Sequence, residues 1–189
     1  MTCSRTLVNS FDTLICSEFK LQRSGNFWRI QEPEAGNSLF EIGGCQSTAF
    51  SLDQKGQNVF PFFTFETQGI RQVNDALVVA QVDDKFYVVA IEMKTSTGES
   101  KALRQIESGR FFIEWAVSVL RFVKACSDDY IFFGVVSFKP RNQPRKSGSR
   151  RSAELPIPSV SPHGSYPVFR LRNHPRTSII DLVRKLPTT

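Results

Sequence analysis

NDALVVAQVDDKFYVVAIEMKTSTGESKALRQ, residues 74–105, is the stretch on which the fold turns. Asp75 opens one apolar run, and Glu92 and Lys94 close the next. Side chains alternate between the two faces of a strand, so Glu92 and Lys94 project to one side and Met93 to the other. Asp83-Asp84 reads as a two-residue hairpin turn, which pairs Val82 with Lys85. Counting back along that ladder sets Asp75 directly opposite Glu92, with Cβ atoms roughly 5 Å apart. A three-residue turn would instead send Asp75 to the opposite face, and a bulge would be needed to bring it back. Carboxylates this close repel unless one takes a proton or a cation lies between them. Oxygen ligands favour a hard divalent ion, magnesium first, because it is usually held by one or two carboxylates plus a substrate phosphate.

Downstream of this stretch, residues 100–126 carry Ala102, Ile106, Gly109, Ile113, Ala116, Leu120 and Val123 at steps of three and four. Glu107, Arg110, Glu114, Ser118 and Arg121 form an opposing polar stripe, so the spacing predicts an amphipathic helix lying on the sheet. Gly109 and Ala116 in the apolar stripe allow a close approach to the strands. The following run, Tyr130–Phe138, reads YIFFGVVSF. It is too continuously apolar to be half exposed and is expected as a central strand covered on both faces. Strand, helix and strand make a βαβ unit, expected to be right-handed.

Upstream, residues 6–21 are weakly periodic and suggest an N-terminal helix. Residues 27–30 and 38–42 read as short strands around a turn-rich segment, with Gly43-Gly44 ending the second. Residues 60–65 are aromatic and strand-like, with Pro61 pointing to an edge. Towards the C-terminus, residues 168–171 suggest a last strand and 177–186 a closing helix ended by Pro187.

The 189 residues are 40% apolar and include 17 Phe, enough for one well-filled core. The fold class expected is α/β (α+β), a mixed central sheet flanked by helices. No run suits a membrane span or a secretory signal, so an intracellular location is expected, cytoplasmic or, with PRKSGSRR read as an import signal, nuclear. Cys3, Cys16, Cys45 and Cys126 are far apart, and neither His163 nor His174 is near them in sequence, which argues against zinc and for reduced, structural thiols.

Charge is unevenly spread. Residues 139–189 hold 11 Lys or Arg against two acids, Glu154 and Asp181, a balance of +9, whereas residues 1–138 hold 13 against 16. The chain is therefore divided into a 1–138 core and a 139–189 basic extension packed on or beside it. Such a block suits a polyanion, and Lys101, Lys139, Arg141, Arg145, Lys146, Arg150 and Arg151 are the candidate nucleic-acid contacts. A solvated loop is the plainer reading of residues 139–152.

An acid at the start of a strand (Asp75), a hairpin, Glu92-Met93-Lys94 at the end of the next strand, a helix carrying Gln105 and a further strand together resemble the PD-(D/E)XK nuclease superfamily. Asn74 stands where the proline of the name would be. The resemblance covers residues 39–138 and implies a restriction-endonuclease-like core and magnesium-dependent cleavage of DNA or, less often, RNA, with manganese as a substitute. It implies Asp75, Glu92 and the Met93 carbonyl as metal ligands, and Lys94 as the group that positions water or steadies phosphate charge. Gln105 resembles the helix glutamine of the RecB-like branch. The family often adds another acid, for which Glu41 is the first candidate, then Glu34 and Glu66. No ATPase motif or recognition domain is evident, so a homodimer or a targeting protein is expected to direct the enzyme. The alternative is a catalytically inactive nucleic-acid-binding or assembly subunit on the same fold.

Overall fold

The two-residue turn is present. Val82 pairs with Lys85, and the ladder runs back in unbroken register to Ala76 opposite Ile91. Asp83 takes a φ of +53°, the left-handed conformation that lets a tight turn match the twist of its strands. Around this hairpin the computed structural model describes residues 5–32, 38–53, 72–95, 98–138 and 154–187.

In chain order the elements are α1 (Leu7–Leu14), β1 (Gln22–Ser24), β2 (Phe27–Glu32), β3 (Ser38–Gly43), β4 (Gln46–Phe50), β5 (Ala76–Val82) and β6 (Lys85–Lys94). They continue with α2 (Glu99–Phe122), β7 (Tyr130–Phe138), β8 (Ser159–Val160), β9 (Pro167–Arg172), β10 (Arg176–Ser178) and α3 (Ile179–Val183). The larger sheet has the order β4-β5-β6-β7-β9-β8, and the smaller one β1-β2-β3-β10. In the larger sheet β6, β7 and β9 run parallel, while β4 to β6 form an antiparallel meander. The class is thus mixed α/β, as the sequence suggests.

Alternation along β5 and β6 splits the core in two. Leu77, Val79, Val88 and Ala90 face α1 and α2, whereas Ala76, Val78, Val89 and Ile91 face the smaller sheet and α3. Because both faces are covered, the strands are apolar on both sides over Ala76–Ala80 and Tyr87–Ile91. Each fully buried Val, Leu or Ile contributes roughly 1.5–3 kcal/mol. β7 lies between β6 and β9, the interior position its composition predicts.

Four boundaries differ from the sequence reading, the first being the long helix, which ends at Phe122 rather than 126 and leaves Val123 of the expected buried stripe exposed. The N-terminal helix ends at Leu14, with extended backbone at Ile15 and a 3-10 turn at Ser17–Phe19. Ile15 and Phe19 still pack on the helix-side core, so the apolar spacing that mimics a longer helix serves two separate turns. The closing helix shortens to α3 because Arg176–Ser178 pairs in parallel with Glu41, Ile42 and Gly43. The expected division at residue 138 cuts across both sheets, since β9 is internal to one ladder and β10 joins the other. The aromatic segment 60–65 lies outside the described residues. No helix among the described residues is long and apolar enough to cross a membrane.

Candidate active site

The end of β6 opens into a cleft of about 230 Å³ lined by Asp75, Glu92, Lys94, Gln105, Glu32 and Asp53, with Met93, Thr95 and Lys101. Each wall follows from local structure. Glu92 and Lys94 continue the parity of Val88 and Ala90, so they lie on the α2 side of the sheet. Asp75 sits one residue before β5, one step beyond the last paired position, Ala76 and Ile91. Glu32 ends β2, two residues after buried Ile30, and so reaches the cleft from the smaller sheet.

Gly109 sets the distance of α2 from this edge. A Cβ there would collide with the Asn74 side chain and come within 3.3 Å of Leu77. One turn earlier on the same helix, Gln105 Nε2 donates to the Val73 carbonyl at 3.0 Å, and its Oε1 accepts from Lys94 Nζ at 3.1 Å. Asn74 is itself buried and donates from Nδ2 to the Ala76 and Ile91 carbonyls, tying the start of β5 to β6. The helix glycine is therefore what lets Gln105 hold Lys94.

Within the cleft the two central acids are turned differently. Asp75 Oδ2 accepts from the Met93 N–H at 2.5 Å, and the Asp75 N–H donates to Glu92 Oε2 at 3.3 Å. Glu92 Oε1 accepts from Lys94 Nζ in an ion pair whose carboxylate is 1% exposed. Asp75 instead faces Glu32 and Asp53, with one carboxylate oxygen of each of the three within 4.8 Å of the others.

Burial pushes the Asp75 carboxyl up to about 8, with Glu92 and then Glu32 adding repulsion that the Met93 N–H and Lys94 only partly offset. Burial also pushes Glu92 up to about 7, against the pull of Lys94 and the Asp75 N–H. Desolvation outweighs the ion pair in both cases. The chemistry of the cleft suits a hard cation: the donors are carboxylate oxygens, with no thiolate or imidazole among the lining residues. A cation placed among Glu32, Asp53 and Asp75 would favour the ionised form of Asp75 against the burial that chiefly raises its carboxyl.

No protein-family model, curated protein or solved structure matches the chain.

The remaining expected site residues separate into three groups. Met93 and Lys101 line the cleft, Met93 with its side chain in the core and Lys101 exposed at the start of α2. Glu41 does not line it. It lies on β3, where Arg176 Nε donates to its Oε2 at 2.7 Å and Arg29 approaches at 3.9 Å, so its carboxylate is engaged by two guanidinium groups in the smaller sheet. Lys139, Arg141, Arg145, Lys146, Arg150 and Arg151, with Glu34 and Glu66, lie outside the described residues. The acids that do join Asp75 are Glu32 and Asp53. Glu32 was legible in principle, because it continues the buried parity of Trp28 and Ile30 to the strand end. Asp53 carries no such signal.

Proposed function

We propose that the chain is a metal-dependent nuclease that hydrolyses phosphodiester bonds of DNA, or of RNA, at the cleft formed by Asp75, Glu92 and Lys94. The observation that carries this reading is the convergence, in one cleft, of a crowded buried acid pair with a lysine held at a defined position by Glu92 and Gln105.

Asp75, with Glu32 and Asp53 beside it, would hold magnesium or manganese. When bound, the ion supplies a water of lowered pKa and neutralises charge on the phosphate. The chain's own residues do the rest. Asp75 must give up its proton to act as a ligand, and its Met93 N–H contact fixes which oxygen remains free to turn outward. Lys94 presents an ammonium next to the acids, where it can steady a phosphate oxygen as negative charge accumulates. Gln105 acts through Lys94 and is a positioning residue. Lys101 adds positive charge at the mouth of the cleft, and the basic residues of 139–151 would supply non-specific affinity for the phosphate backbone.

The test is to incubate the purified chain with supercoiled, linear and single-stranded DNA and with RNA, each with magnesium, manganese or chelator. Cleavage that needs the metal supports the reading. Binding without cleavage under every metal condition would favour a non-catalytic nucleic-acid-binding subunit on the same fold.

A further inference from the structure

α2 has three faces. One is buried against the sheet, and a second carries Glu107, Arg110, Glu114, Ser118 and Arg121, with Arg110 paired to both Glu107 and Glu114. The third is apolar and open: Phe111 is 57% exposed, Trp115 63% and Phe122 87%, with Val119 and Val123 beside them. At about 100° per residue these five fall within roughly 120° of arc, along about 18 Å of helix axis. Scattered exposed apolar side chains are ordinary, but a contiguous band of large ones is not. From the size of such side chains the band exposes on the order of 500–600 Å², so two copies covering it would bury about 1,000–1,200 Å², which reaches the roughly 1,000 Å² expected of a biological interface and suits a dimer of micromolar strength.

We propose that this face is the contact between two copies of the chain, α2 lying antiparallel on α2 about a two-fold axis level with Val117. Two independent centres agree on that axis. Val117 is midway between Phe111 and Val123, the ends of the apolar band. The charged row beside the band is acidic at Glu114 and basic at Arg121, and their midpoint falls at the same level. Antiparallel pairing sets Glu114 of each copy against Arg121 of the other, while Trp115 meets the second copy's Val119. Parallel pairing would carry the charged row of each copy to the opposite flank of the contact, where Glu114 and Arg121 would not meet each other. A two-fold contact is isologous, so one self-complementary patch suffices. Both charges have partners within the chain, Glu114 in Arg110 and Arg121 in the Asp128 carbonyl and Asp129, but the Glu114 and Asp129 side chains are 47% and 98% exposed, so these are surface pairs that cost little to exchange. This inference is independent of the chemistry in the cleft.

Sedimentation equilibrium of the full chain from low to high micromolar concentration tests it. A dimer is expected, and Trp115→Glu should raise its dissociation constant on the order of 100-fold, since an aromatic anchor is removed from each side. Thermal melting at a concentration low enough to leave the wild type monomeric should change little, because the side chain is largely exposed, whereas at dimer-forming concentrations the wild type should melt higher than the variant. Charge reversal provides a readout that does not depend on the aromatic variant. Glu114→Arg and Arg121→Glu should each weaken the dimer, and the double variant should restore it. A wild-type chain that stays monomeric throughout overturns the proposal, as does a dimer indifferent to Trp115→Glu or a double variant no tighter than either single one.

Discussion

Asp75 and Glu92 face one another across the β5–β6 ladder, yet their carboxylates do not share a ligand atom's place. Glu92 is turned to Lys94 and to the Asp75 N–H, and Asp75 to the Met93 N–H and the acids Glu32 and Asp53. The two residues thus divide the work of one edge: Glu92 anchors the lysine, and Asp75 brings the acid cluster together. A one-residue register shift would undo this arrangement, because it would send Asp75 to the face opposite Glu92.

Asp75→Asn and Glu92→Gln should each reduce metal-dependent cleavage on the order of a hundredfold or more, given that even outer-shell partners of a metal cost up to that much. Stability of the metal-free protein should hold or rise in both variants, since each removes a buried carboxyl from a repulsive pair. Cleavage assays on folded variants, with melting curves alongside, check both halves. Full activity in either variant would remove the proposed site.

Stability should also depend on pH in a particular direction. The folded-state values of Asp75 and Glu92, about 8 and about 7, lie above their ordinary values of 3.8 and 4.5. For acids raised in this way the unfolded chain ionises first, so their contribution is fullest below about pH 4 and declines as pH rises to about 8. Melting of the metal-free protein against pH should show this decline superposed on the titration of other groups. In Asp75→Asn it should shrink, while the Glu92 part, which comes chiefly from burial, should remain.

Cation affinity distinguishes the acids in the cleft from the one outside it. Glu32→Gln and Asp53→Asn should weaken manganese binding measured by calorimetry, and binding to the wild type should strengthen between pH 6 and 8 as Asp75 ionises. Glu41→Gln should leave the affinity unchanged. Its pairs with Arg29 and Arg176 are largely at the surface, so the stability change should stay within about 1 kcal/mol.

Gly109→Ala should destabilise the fold by about 1–3 kcal/mol, the usual cost of forcing a methyl into a filled space. The generic preference of helices for Ala over Gly has the opposite sign and is about 1 kcal/mol, so tertiary contact with Asn74 is expected to win. The variant should also lose activity beyond its loss of stability, because moving α2 outward withdraws Gln105 from Lys94. Urea unfolding together with cleavage rates of the folded protein measures both.

Replacing Arg145, Lys146, Arg150 and Arg151 with Ala should weaken nucleic-acid binding similarly across sequences. For every phosphate that the chain no longer neutralises, the slope of log affinity against log salt should become shallower by roughly 0.7–0.9. Single-turnover cleavage at saturating substrate should change little. An unaltered salt slope would mean that the segment is only a solvated linker.

The sequence by itself determined the hairpin, its register, the long helix and the strand after it, because each rests on contacts close along the chain or on a strict period. Asp83-Asp84 sets where Asp75 and Glu92 fall, a period of two sets which side Lys94 takes, and steps of three and four place Gln105 on α2. Tertiary structure alone decided which distant residues complete the cleft. Glu41, Glu34 and Glu66 were as eligible as Glu32 by type and rough position, but β3 lies between two arginine-bearing strands, β2 and β10, and spends Glu41 on that pairing. β10 takes its place by pairing with a strand more than 130 residues earlier in the chain. The open aromatic face of α2 was hidden for the same reason: Phe111, Trp115 and Phe122 have the composition of a core face. Only the position of the sheet against Ile106, Ile113 and Leu120 determines that they remain outside it.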